Sequence, residues 1–320
     1  MPEPQFKVSA FRTRLLAWYD CNKRHLPWRK TKSAYRIWIS EIMLQQTRVA
    51  VVFERYRTFL KRFPSLRSLA RSRESDVLAA WSGLGYYRRA RSLRNAARIV
   101  VREYRGKIPA EFAHLRMLPG IGDYTAAAIS SIAFGQPHAV VDGNVRRVLT
   151  RVRGKALSMS SAWTDAQALL SLERPGDFNQ AMMELGAIVC TPIPKCQECP
   201  VRDLCASKGA TEGTAKGTPA ERVNVRVGLM QRANSVYLVR RPMGAKLMPS
   251  MWELPLVQKR GAEDLFALKH SITKTNYSVQ VCLAMQPPAS SGGRWISRSR
   301  LPGLPLTGLA RKILHRAGLL

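Results

Sequence analysis

The first 205 residues carry apolar side chains at the spacing of an α-helix. In one stretch, Tyr35, Trp38, Ile39 and Ile42 lie three or four positions apart, so they would share one helix face. Similar stretches recur from residue 6 to about residue 205. The pattern predicts an all-α domain over residues 1–205.

After residue 222 the apolar residues alternate with polar ones. Alternation with a period of two is typical of β-strands that bury one face. The polar segment QRANS, residues 231–235, separates two of these runs as a turn would, and LTGLARKILHRAGLL at the end of the chain has helical spacing. The alternating residues are Val223, Val225, Val227, Val236, Leu238, Tyr277, Val279 and Val281. They predict a smaller α+β domain over residues 223–320.

Residues 206–222 separate the two patterns. This segment, ASKGATEGTAKGTPAER, is rich in glycine, alanine, threonine and lysine and shows no periodicity. Such a composition is typical of a flexible linker. We therefore expect a multidomain protein with an all-α domain, a linker and a smaller α+β domain.

The charge of the chain is strongly positive. It holds 52 lysines and arginines against 21 aspartates and glutamates, a formal net charge of +31. A surplus this large favours a polyanionic partner such as nucleic acid. No segment reaches the roughly 18 apolar residues of a membrane span, and the first residues, MPEPQFKVSAFRTR, lack the apolar core of a signal peptide. We therefore expect a cytoplasmic, nucleoid-associated protein without a membrane partner.

Arginines form a second stripe beside the apolar stripe of residues 84–107. The apolar stripe consists of Leu93, Ala97, Val100 and Tyr104, with Glu103 as the single acid nearby. The arginines are Arg91, Arg94, Arg98, Arg102 and Arg105. A solvated helix face and a phosphate-binding face both fit this pattern.

LPGIGDYTA, residues 118–126, predicts a tight turn between two helices. Gly120 and Gly122 tolerate backbone conformations that other residues disfavour, and a run of small residues after Tyr124 favours a helix. A hairpin over residues 112–134 would present backbone N–H groups and the positive end of its second helix, which bind phosphate. A purely structural turn is the alternative, but the net charge favours contact with a DNA backbone.

Four of the six cysteines crowd into residues 190–205 with the spacing C-x5-C-x2-C-x5-C. Clustered cysteines in a cytosolic chain indicate metal binding rather than disulfides. Four sulfur ligands suit zinc or an iron–sulfur cluster. Zinc ribbons usually have two C-x2-C pairs and this segment has one, so the pattern favours an iron–sulfur cluster while zinc stays open. Four unrelated buried cysteines are the remaining alternative.

Three carboxylates occupy apolar surroundings in the predicted all-α domain. Glu41 lies within WISEIMLQQT, Asp142 within AVVDGNVRRVL and Glu184 within QAMMELGAIVC. Burial disfavours the charged form, so each pKa is expected to rise, as a general acid requires. Paired carboxylates also cleave glycosidic bonds, one protonating the leaving group and the other stabilising the sugar cation. Helix capping or pairing with an arginine is the alternative for each acid.

Taken in order, these motifs resemble those of the helix-hairpin-helix DNA glycosylases that carry a four-cysteine iron–sulfur loop. Within that superfamily they resemble the family of MutY-type adenine DNA glycosylases over residues 6–205. Residues 223–320 are more weakly similar to the Nudix-like domain of that family, through LMPSMWELPLV and RWISRSRLPGLPLTGLARKIL. The main resemblance is carried by LPWR at residues 26–29, WISEIMLQQTRVAVV, WSGLGYYRRARSL, LPGIGDYTA, VDGNVRRVL and NQAMMELGAIVCTP.

The resemblance implies a monomeric base excision repair enzyme with one [4Fe–4S] cluster in the loop of residues 190–205. It would flip adenine mispaired with 8-oxoguanine or guanine out of double-stranded DNA and hydrolyse its N-glycosidic bond. Glu41 would protonate the adenine and Asp142 would stabilise an oxocarbenium-like sugar. Asn144, Tyr124 and Glu184 would complete the pocket. The implied DNA-binding residues are Arg29, Gln45, Gln46, Thr47, Leu84, Tyr86, Gly120, Gly122, Thr273 and Lys274, and the implied cluster ligands are Cys190, Cys196, Cys199 and Cys205.

Other functional classes fit the sequence less well. A thymine or uracil mismatch glycosylase of the same superfamily can carry the same tyrosine and aspartate, but the Gln45–Gln46 pair and the second domain argue against it. An endonuclease III-like enzyme with lyase activity would need a lysine at position 124, where this chain has Tyr124. A non-catalytic DNA-binding or redox-sensing protein would be expected to lack Glu41 or Asp142.

The sequence departs from the family pattern in the cysteine loop and in the second domain. Five residues separate Cys190 from Cys196, where the family usually has six. The second domain lacks the acidic motif of Nudix hydrolases, so hydrolysis of nucleotide diphosphates is not expected. It also carries Ile272, Thr273 and Lys274 where relatives have Phe-Ser-His to sense 8-oxoguanine. Thr273 can still donate a hydrogen bond and Lys274 can reach a phosphate, but the aromatic wedge is missing.

This replacement predicts weak discrimination between 8-oxoguanine and guanine opposite adenine. The measurement is the rate of adenine release from the two duplexes under matched conditions. We expect the two rates to differ less than they do in relatives with Phe-Ser-His, because the aromatic wedge that senses the damaged base is missing. A preference as steep as theirs would contradict the prediction.

Overall fold

The computed structural model describes residues 7–208, 221–258, 263–272, 275–287 and 292–320. Thr273, Lys274 and most of the predicted linker lie outside these residues. The chain divides into two compact units, and neither is continuous in sequence. Unit 1 holds Met1–Tyr56, Ser65–Arg67 and Asn95–Ala215, and unit 2 holds Arg57–Pro64, Ser68–Arg94 and Lys216–Leu320.

The described part of residues 7–208 is helical, as the apolar spacing predicts, and contains no strand. None of the helices in the described ranges has the length and apolar character needed to cross a membrane. A 3-10 turn, Pro27–Lys30, follows the first helix. The α-helices are α1 (Val8–Asn22), α2 (Ala34–Leu44), α3 (Val49–Arg62), α4 (Leu66–Arg71), α5 (Glu74–Ala80), α6 (Arg88–Glu103), α7 (Phe112–Arg116), α8 (Asp123–Phe134), α9 (Gly143–Arg153), α10 (Met159–Leu169) and α11 (Pro175–Ile188).

Helix α2 is buried on nearly every side, and the four apolar residues that predict it are all buried. It packs against α8, whose Ala126, Ala127 and Ala128 allow the two backbones to approach closely. Helix α11 also packs on α8, and a Cβ added at Gly176 would lie 2.7 Å from the Ser131 carbonyl oxygen. Small residues at these contacts bring α2, α8 and α11 together, so side chains from all three can reach one pocket.

Helices α7 and α8 form the predicted hairpin. Its turn needs Gly120, whose φ of 81° lies in the left-handed region, and Gly122 is the N-cap of α8. Gly122 supplies no side-chain cap to α8, and both glycines are exposed. Asp123 in the first turn is paired with Arg116 at 2.6 Å. The start of α8 is therefore accessible to an anion such as phosphate.

The arginine stripe of α6 is only partly exposed. Arg91 pairs with Glu74 at 2.8 Å, and Arg94 donates a hydrogen bond to the Ser72 carbonyl at 2.8 Å. Arg98 and Arg102 are exposed. Contacts within the protein thus account for the first two arginines. Arg102 pairs with the exposed Glu103 at 2.6 Å, and both Arg98 and Arg102 are open to solvent.

Unit 2 contains the predicted α+β region, whose core is shared by its strands and its helix. The bounds are β1 (Glu221–Leu229), β2 (Gln231–Arg232), β3 (Ser235–Arg240), β4 (Trp252–Glu253), β5 (Glu263–Ile272), β6 (Thr275–Leu283), β7 (Arg294–Ser297) and α12 (Gly308–Arg316). These elements confirm the α+β prediction. One sheet has the order β1-β6-β5, with β1 parallel and β5 antiparallel to β6, and in the other β3 pairs with β2, β4 and β7.

Two details of the strand prediction change. QRANS is not a turn throughout, because Gln231 and Arg232 pair with β3. The chain reverses at Ala233, whose φ is 47°, and Asn234. Strand β5 was missed because its apolar residues do not alternate, and a register shift between Asp264 and Phe266 interrupts its pairing.

The helical residues of unit 2 bond directly to its α+β part. The Tyr87 hydroxyl donates to the Leu306 carbonyl at 3.3 Å, and Arg311 Nε donates to Ser82 Oγ at 2.6 Å. Arg91 Nη2 also donates to the Pro249 carbonyl at 2.6 Å. Residues far apart in sequence therefore form one compact unit.

Candidate active site

Unit 1 contains a pocket of about 490 Å³, large enough for a ligand the size of a nucleobase. Glu41 reaches it from α2, Tyr124 from the first turn of α8, Asp142 from the N-cap of α9 and Glu184 from α11. Asn144 lines it as well, so all five residues predicted to be catalytic meet there. Other lining residues are Arg24, Trp28, Arg29, Gln45, Gln46, Thr47 and Met183.

Glu41 is the desolvated acid of the pocket, with only 5% of its surface exposed. Burial raises the pKa of Glu41 to about 7, a hydrogen bond with Tyr124 lowers it, and the charge of Asp142 raises it further. Its Oε2 has no hydrogen-bond partner among the described residues. A buried polar atom without a partner is costly, so Oε2 is suited to bond a ligand that enters the pocket.

Tyr124 lies between Glu41 and α11. Its hydroxyl lies 3.0 Å from Met183 Sδ and can donate its single proton either to that sulfur or to the Glu41 carboxyl. Burial raises the pKa of Tyr124 well above its usual value, and the charges of Glu41 and Asp142 raise it further. The phenol therefore stays neutral and serves as a hydrogen-bonding group.

Asp142 is fixed by the start of α9. Its Oδ1 accepts a hydrogen bond from the Val145 amide at 2.7 Å, and its Oδ2 accepts one from Asn144 Nδ2 at 3.3 Å. The helix-capping alternative is therefore real, but the same side chain also lines the pocket. Capping and a role in the pocket coexist, because the cap holds the carboxylate in one orientation.

Glu184 overturns the expectation that every buried acid here has a raised pKa. Burial alone would raise it, but hydrogen bonds from Arg24 and Arg29 outweigh that effect and hold the pKa of Glu184 at about 2. The carboxylate is fully buried and accepts bonds of 2.6 Å from Arg24 Nη2 and 2.7 Å from Arg29 Nη2. Glu184 is thus ionised and paired, and Arg29 is turned towards it with 11% of its side chain exposed. Contact of Arg29 with DNA stays a prediction.

The segment after α2 carries Gln45, Gln46 and Thr47 along the pocket. Gln45 Nε2 donates to Thr125 Oγ1 at 3.0 Å, which ties it to α8. Gln46 is exposed and has a φ of 54°, a left-handed conformation that side chains disfavour. Such conformations concentrate at functional sites, where the surrounding structure enforces them.

Leu84 and Tyr86, also predicted to contact DNA, belong to unit 2. Leu84 is buried, whereas Tyr86 is 47% exposed and has a φ of 47°. The Arg89 guanidinium lies over the Tyr86 ring, 5.4 Å from its centre, and over the Trp81 ring at 5.6 Å. Tyr86 therefore presents a braced aromatic ring to solvent, whereas Leu84 is buried.

The four clustered cysteines, Cys190, Cys196, Cys199 and Cys205, line one cavity together with residues of α9 and α11. Burial raises the pKa of Cys199 to about 11, the charges of the other three cysteines raise it further, and a backbone hydrogen bond with Val201 lowers it. In the described ranges no three acidic, histidine or cysteine side chains are already arranged to hold a single metal ion. The shared cavity is what an all-sulfur centre requires.

Arg147 connects the pocket to this cysteine loop. Its Nη2 donates to Asn144 Oδ1 at 2.8 Å and to the Gly186 carbonyl at 2.7 Å, and its Nε donates to the Cys190 carbonyl at 2.9 Å. Close packing makes the bridge possible, because a Cβ added at Gly186 would lie 2.8 Å from that of Asn144. The start of the cysteine loop is thus bonded to the residue that holds Asp142.

Sequence reasoning missed Arg24 and Arg147. Arg24 precedes the LPWR segment and meets Glu184 across 160 positions of sequence, so no local pattern indicates the pair. Arg147 lies within VDGNVRRVL, but its three acceptors come from the packing of α9 on α11. The sequence signal that could have indicated these two residues is the excess of arginines close to the acidic motifs.

Comparison with known proteins identifies the family. The family model described as the HhH-GPD superfamily of base excision DNA repair proteins matches residues 39–161. A solved structure described as a thermostable thymine-DNA glycosylase is 32% identical, with a TM-score of 0.60, and the match covers 63% of this chain and 96% of that one. The chain belongs to the HhH-GPD superfamily. An endonuclease III–DNA covalent intermediate, 20% identical with a TM-score of 0.55, shares the fold.

Within the HhH-GPD superfamily the sequence is similar to proteins named adenine DNA glycosylase. The human protein named adenine DNA glycosylase is 48% identical over 236 residues, which cover 67% of this chain and 43% of that protein. The rat protein of the same name is 50% identical over 214 residues, which cover 62% of this chain and 42% of that protein. The chain spans less than half the length of these two relatives.

Replacing Glu184 with glutamine is expected to destabilise this HhH-GPD protein by about 3–5 kcal/mol, because two guanidiniums lose their buried carboxylate. The free energy of unfolding is measured at neutral pH by urea titration with far-UV circular dichroism. The matched control is Asp177→Asn on the same helix, where a partly exposed carboxylate pairs with Arg174 and the loss should stay below about 1 kcal/mol. Equal losses in the two variants would contradict a buried ion pair at Glu184.

Proposed function

We propose that this protein is a monofunctional adenine DNA glycosylase of base excision repair. It hydrolyses the N-glycosidic bond of adenine mispaired with 8-oxoguanine or guanine in duplex DNA. The observation that carries the proposal is Glu41, a buried acid with a pKa of about 7 and an unpartnered Oε2 among the described residues, in a pocket shared with Asp142. The names of the human and rat relatives support adenine as the base.

Glu41 acts as the general acid. Adenine is a poor leaving group as an anion, so cleavage of its bond to the sugar needs a proton on the base. With a pKa of about 7, a large share of the molecules hold that proton at neutral pH. The proton passes from Glu41 to a ring nitrogen, and the electrons of the C–N bond leave with the neutral base. Water then adds to the sugar cation and releases a proton, which completes the hydrolysis.

Asp142 stabilises the positive charge that remains on the sugar. Its carboxylate is oriented by the Val145 amide and by Asn144 before substrate arrives, so no reorganisation is needed as charge develops. Glu184 is unsuited to proton transfer, because Arg24 and Arg29 keep it ionised. It forms a fixed polar wall of the pocket beside the base.

The reaction stops at the abasic site. Strand cleavage by a lyase needs an amine that forms a Schiff base with the sugar. Position 124 holds a tyrosine with a strongly raised pKa, and a phenol cannot form that intermediate.

Duplex DNA is the substrate because the chain is strongly basic and its α7–α8 hairpin is accessible to phosphate. The glycosidic bond is inaccessible inside a base stack, so adenine must be flipped into the pocket. Gln45, Gln46, Thr47, Leu84 and Tyr86 would support the opened duplex. The C-terminal domain is Nudix-like and would read the opposite base through Thr273 and Lys274.

The cysteine loop would hold a [4Fe–4S] cluster. All four cysteines line one cavity, and a set of four sulfur donors suits such a cluster. When bound, the cluster would link the four cysteines and so organise residues 190–205. Zinc is the alternative occupant, and iron and sulfide content with the visible absorption spectrum separates the two.

A thymine mismatch glycosylase is the second candidate function. The solved structure with a TM-score of 0.60 is described as a thymine-DNA glycosylase, and its chain is matched over 96% of its length. The Gln45–Gln46 pair and the second domain favour adenine instead.

Base release from three duplexes tests the proposed function. The duplexes carry adenine opposite 8-oxoguanine, adenine opposite guanine, and thymine opposite guanine, and products are scored with and without alkali. We expect release of adenine only, with strand breaks that appear only after alkali. Thymine release would favour the second candidate, and breaks without alkali would contradict a monofunctional enzyme.

Substituting glutamine at Glu41 is expected to lower the rate of adenine release by at least about 100-fold, the usual contribution of a general acid. Affinity for the adenine duplex should persist, because shape and charge at the DNA surface are unchanged. Since the protonated acid is the active form, the wild-type single-turnover rate should fall about tenfold per pH unit above pH 7. The variant should lack this limb, and an unchanged pH profile would contradict the assignment.

A further inference from the structure

Arg151 is a buried arginine on α9 that faces the cysteine cavity, with 7% of its surface exposed. Its Nη1 donates to Cys190 Sγ at 3.4 Å and to the Thr191 carbonyl at 2.6 Å. Its Nη2 donates to the Pro192 carbonyl at 3.0 Å. One guanidinium fork thus bonds the first cysteine and the two residues after it.

The backbone of Arg151 meets the other end of the loop. Its carbonyl oxygen lies 3.3 Å from Cys205 Sγ and accepts a hydrogen bond from the Ser207 amide at 3.1 Å. The carbonyl oxygen of the next residue, Val152, accepts a hydrogen bond from the Ala206 amide at 3.1 Å. The first and last cysteines of the set are therefore held against the same residue of α9.

The charge of Arg151 is not balanced by a carboxylate within the described part of the chain, since its side-chain bonds go to a thiol and to carbonyl oxygens. A buried arginine is rarely left unpaired, because removing its charge from water is costly. Lys195, Arg202 and Lys208 also line the cavity and add further positive charge. Ligand thiolates in that cavity would supply the missing negative charge.

The short first interval of the loop gives the fork a second role. Only five residues separate Cys190 from Cys196, and Arg151 bonds the carbonyls of the first two of them. These bonds fix the path of the chain as it leaves Cys190. An arginine suits this task because its donors form a rigid planar fork, whereas a lysine offers one rotatable ammonium group.

We propose that Arg151 is the positioning residue of the cysteine centre: its fork fixes the Cys190 end of the loop, and its N–H···S bond and buried charge stabilise the bound anionic cluster. The proposal rests on the [4Fe–4S] cluster proposed above and assigns a residue that is not itself a ligand. Hydrogen bonds to ligand sulfurs and nearby charge both shift the reduction potential of such clusters. Arg151 therefore affects both the lifetime and the potential of the cluster.

The test uses the full chain with Arg151→Met, Arg151→Lys and the control Arg146→Met. Arg146 is exposed on the same helix, so its replacement makes the same charge change away from the cavity. Iron and sulfide per chain, the rate of loss of visible absorbance in excess chelator, and the reduction potential by film voltammetry are measured. Far-UV circular dichroism monitors the helical fold.

For Arg151→Met we expect cluster loss at least about tenfold faster, the usual effect of removing an outer-shell partner, and a more negative reduction potential. Arg151→Lys keeps the charge but loses the fork, so its potential should stay nearer the parent's while its cluster is still lost faster. The reduction potential distinguishes an electrostatic role of Arg151 from a purely structural one, because a purely structural role would leave the reduction potential unchanged. If Arg151→Met retains no cluster, the rate of cluster loss in Arg151→Lys tests the proposal instead.

The proposal would be overturned if the cluster of Arg151→Met had the same lifetime and reduction potential as that of the parent. It would also be overturned if the cluster of Arg151→Lys were lost no faster than the parent's, or if Arg146→Met changed lifetime and potential as much as Arg151→Met does. Zinc in place of iron in the parent would overturn it as well, and adenine release would then still be measurable. Conversely, a parent that holds an Arg151-dependent cluster but releases no adenine would overturn the proposed function and leave this inference standing.

Discussion

Three carboxyl groups share one pocket in unit 1. The site depends on surrounding each of them with different partners. Glu184 is held ionised by two arginines, and Asp142 is bonded to the first turn of a helix. Glu41 receives neither kind of support and is buried with one oxygen unpartnered within the described ranges. Because the partners differ, the pKa of Glu41 is raised and that of Glu184 is lowered, and the three acids differ in freedom to act although they lie in the same cavity.

Close helix packing is what allows those partners to meet. Alanines on α8 and the glycines Gly176 and Gly186 remove the side-chain volume that would otherwise separate the helices. Gly186 admits Asn144, and Asn144 in turn reaches both Asp142 and Arg147. Small residues far from the reacting atoms therefore determine where the polar groups can stand.

Much of this arrangement could be predicted from local sequence. The apolar neighbours of Glu41 indicate burial and hence a raised pKa, and two glycines at Gly120 and Gly122 indicate the hairpin. Glu184 has equally apolar neighbours, yet its pKa falls, because its partners come from residues 24 and 29. Periodicity reports whether a side chain is buried, but it carries no information on which distant charge meets it there.

Which segments of the chain make up unit 2 could not be predicted from the sequence, for a similar physical reason. Residues 68–94 are helical and look continuous with the helices around them, yet their hydrogen bonds run to the α+β region. Strand β5 was also missed, since its apolar residues do not alternate. Compactness depends on contacts between distant residues, and these become visible only when the chain is folded.

The raised pKa of Glu41 also links folding to proton uptake. Unfolded, this carboxyl titrates near 4.5, and folded it titrates near 7, so the native state binds an additional proton between these values. Its contribution to the free energy of unfolding therefore falls as pH rises from about 4.5 to 7. Glu184 acts in the opposite sense, since its contribution is present above 4.5 and is lost as pH falls towards 2. At neutral pH the burial that makes Glu41 reactive thus weakens the native state, and the paired carboxylate beside it offsets that loss.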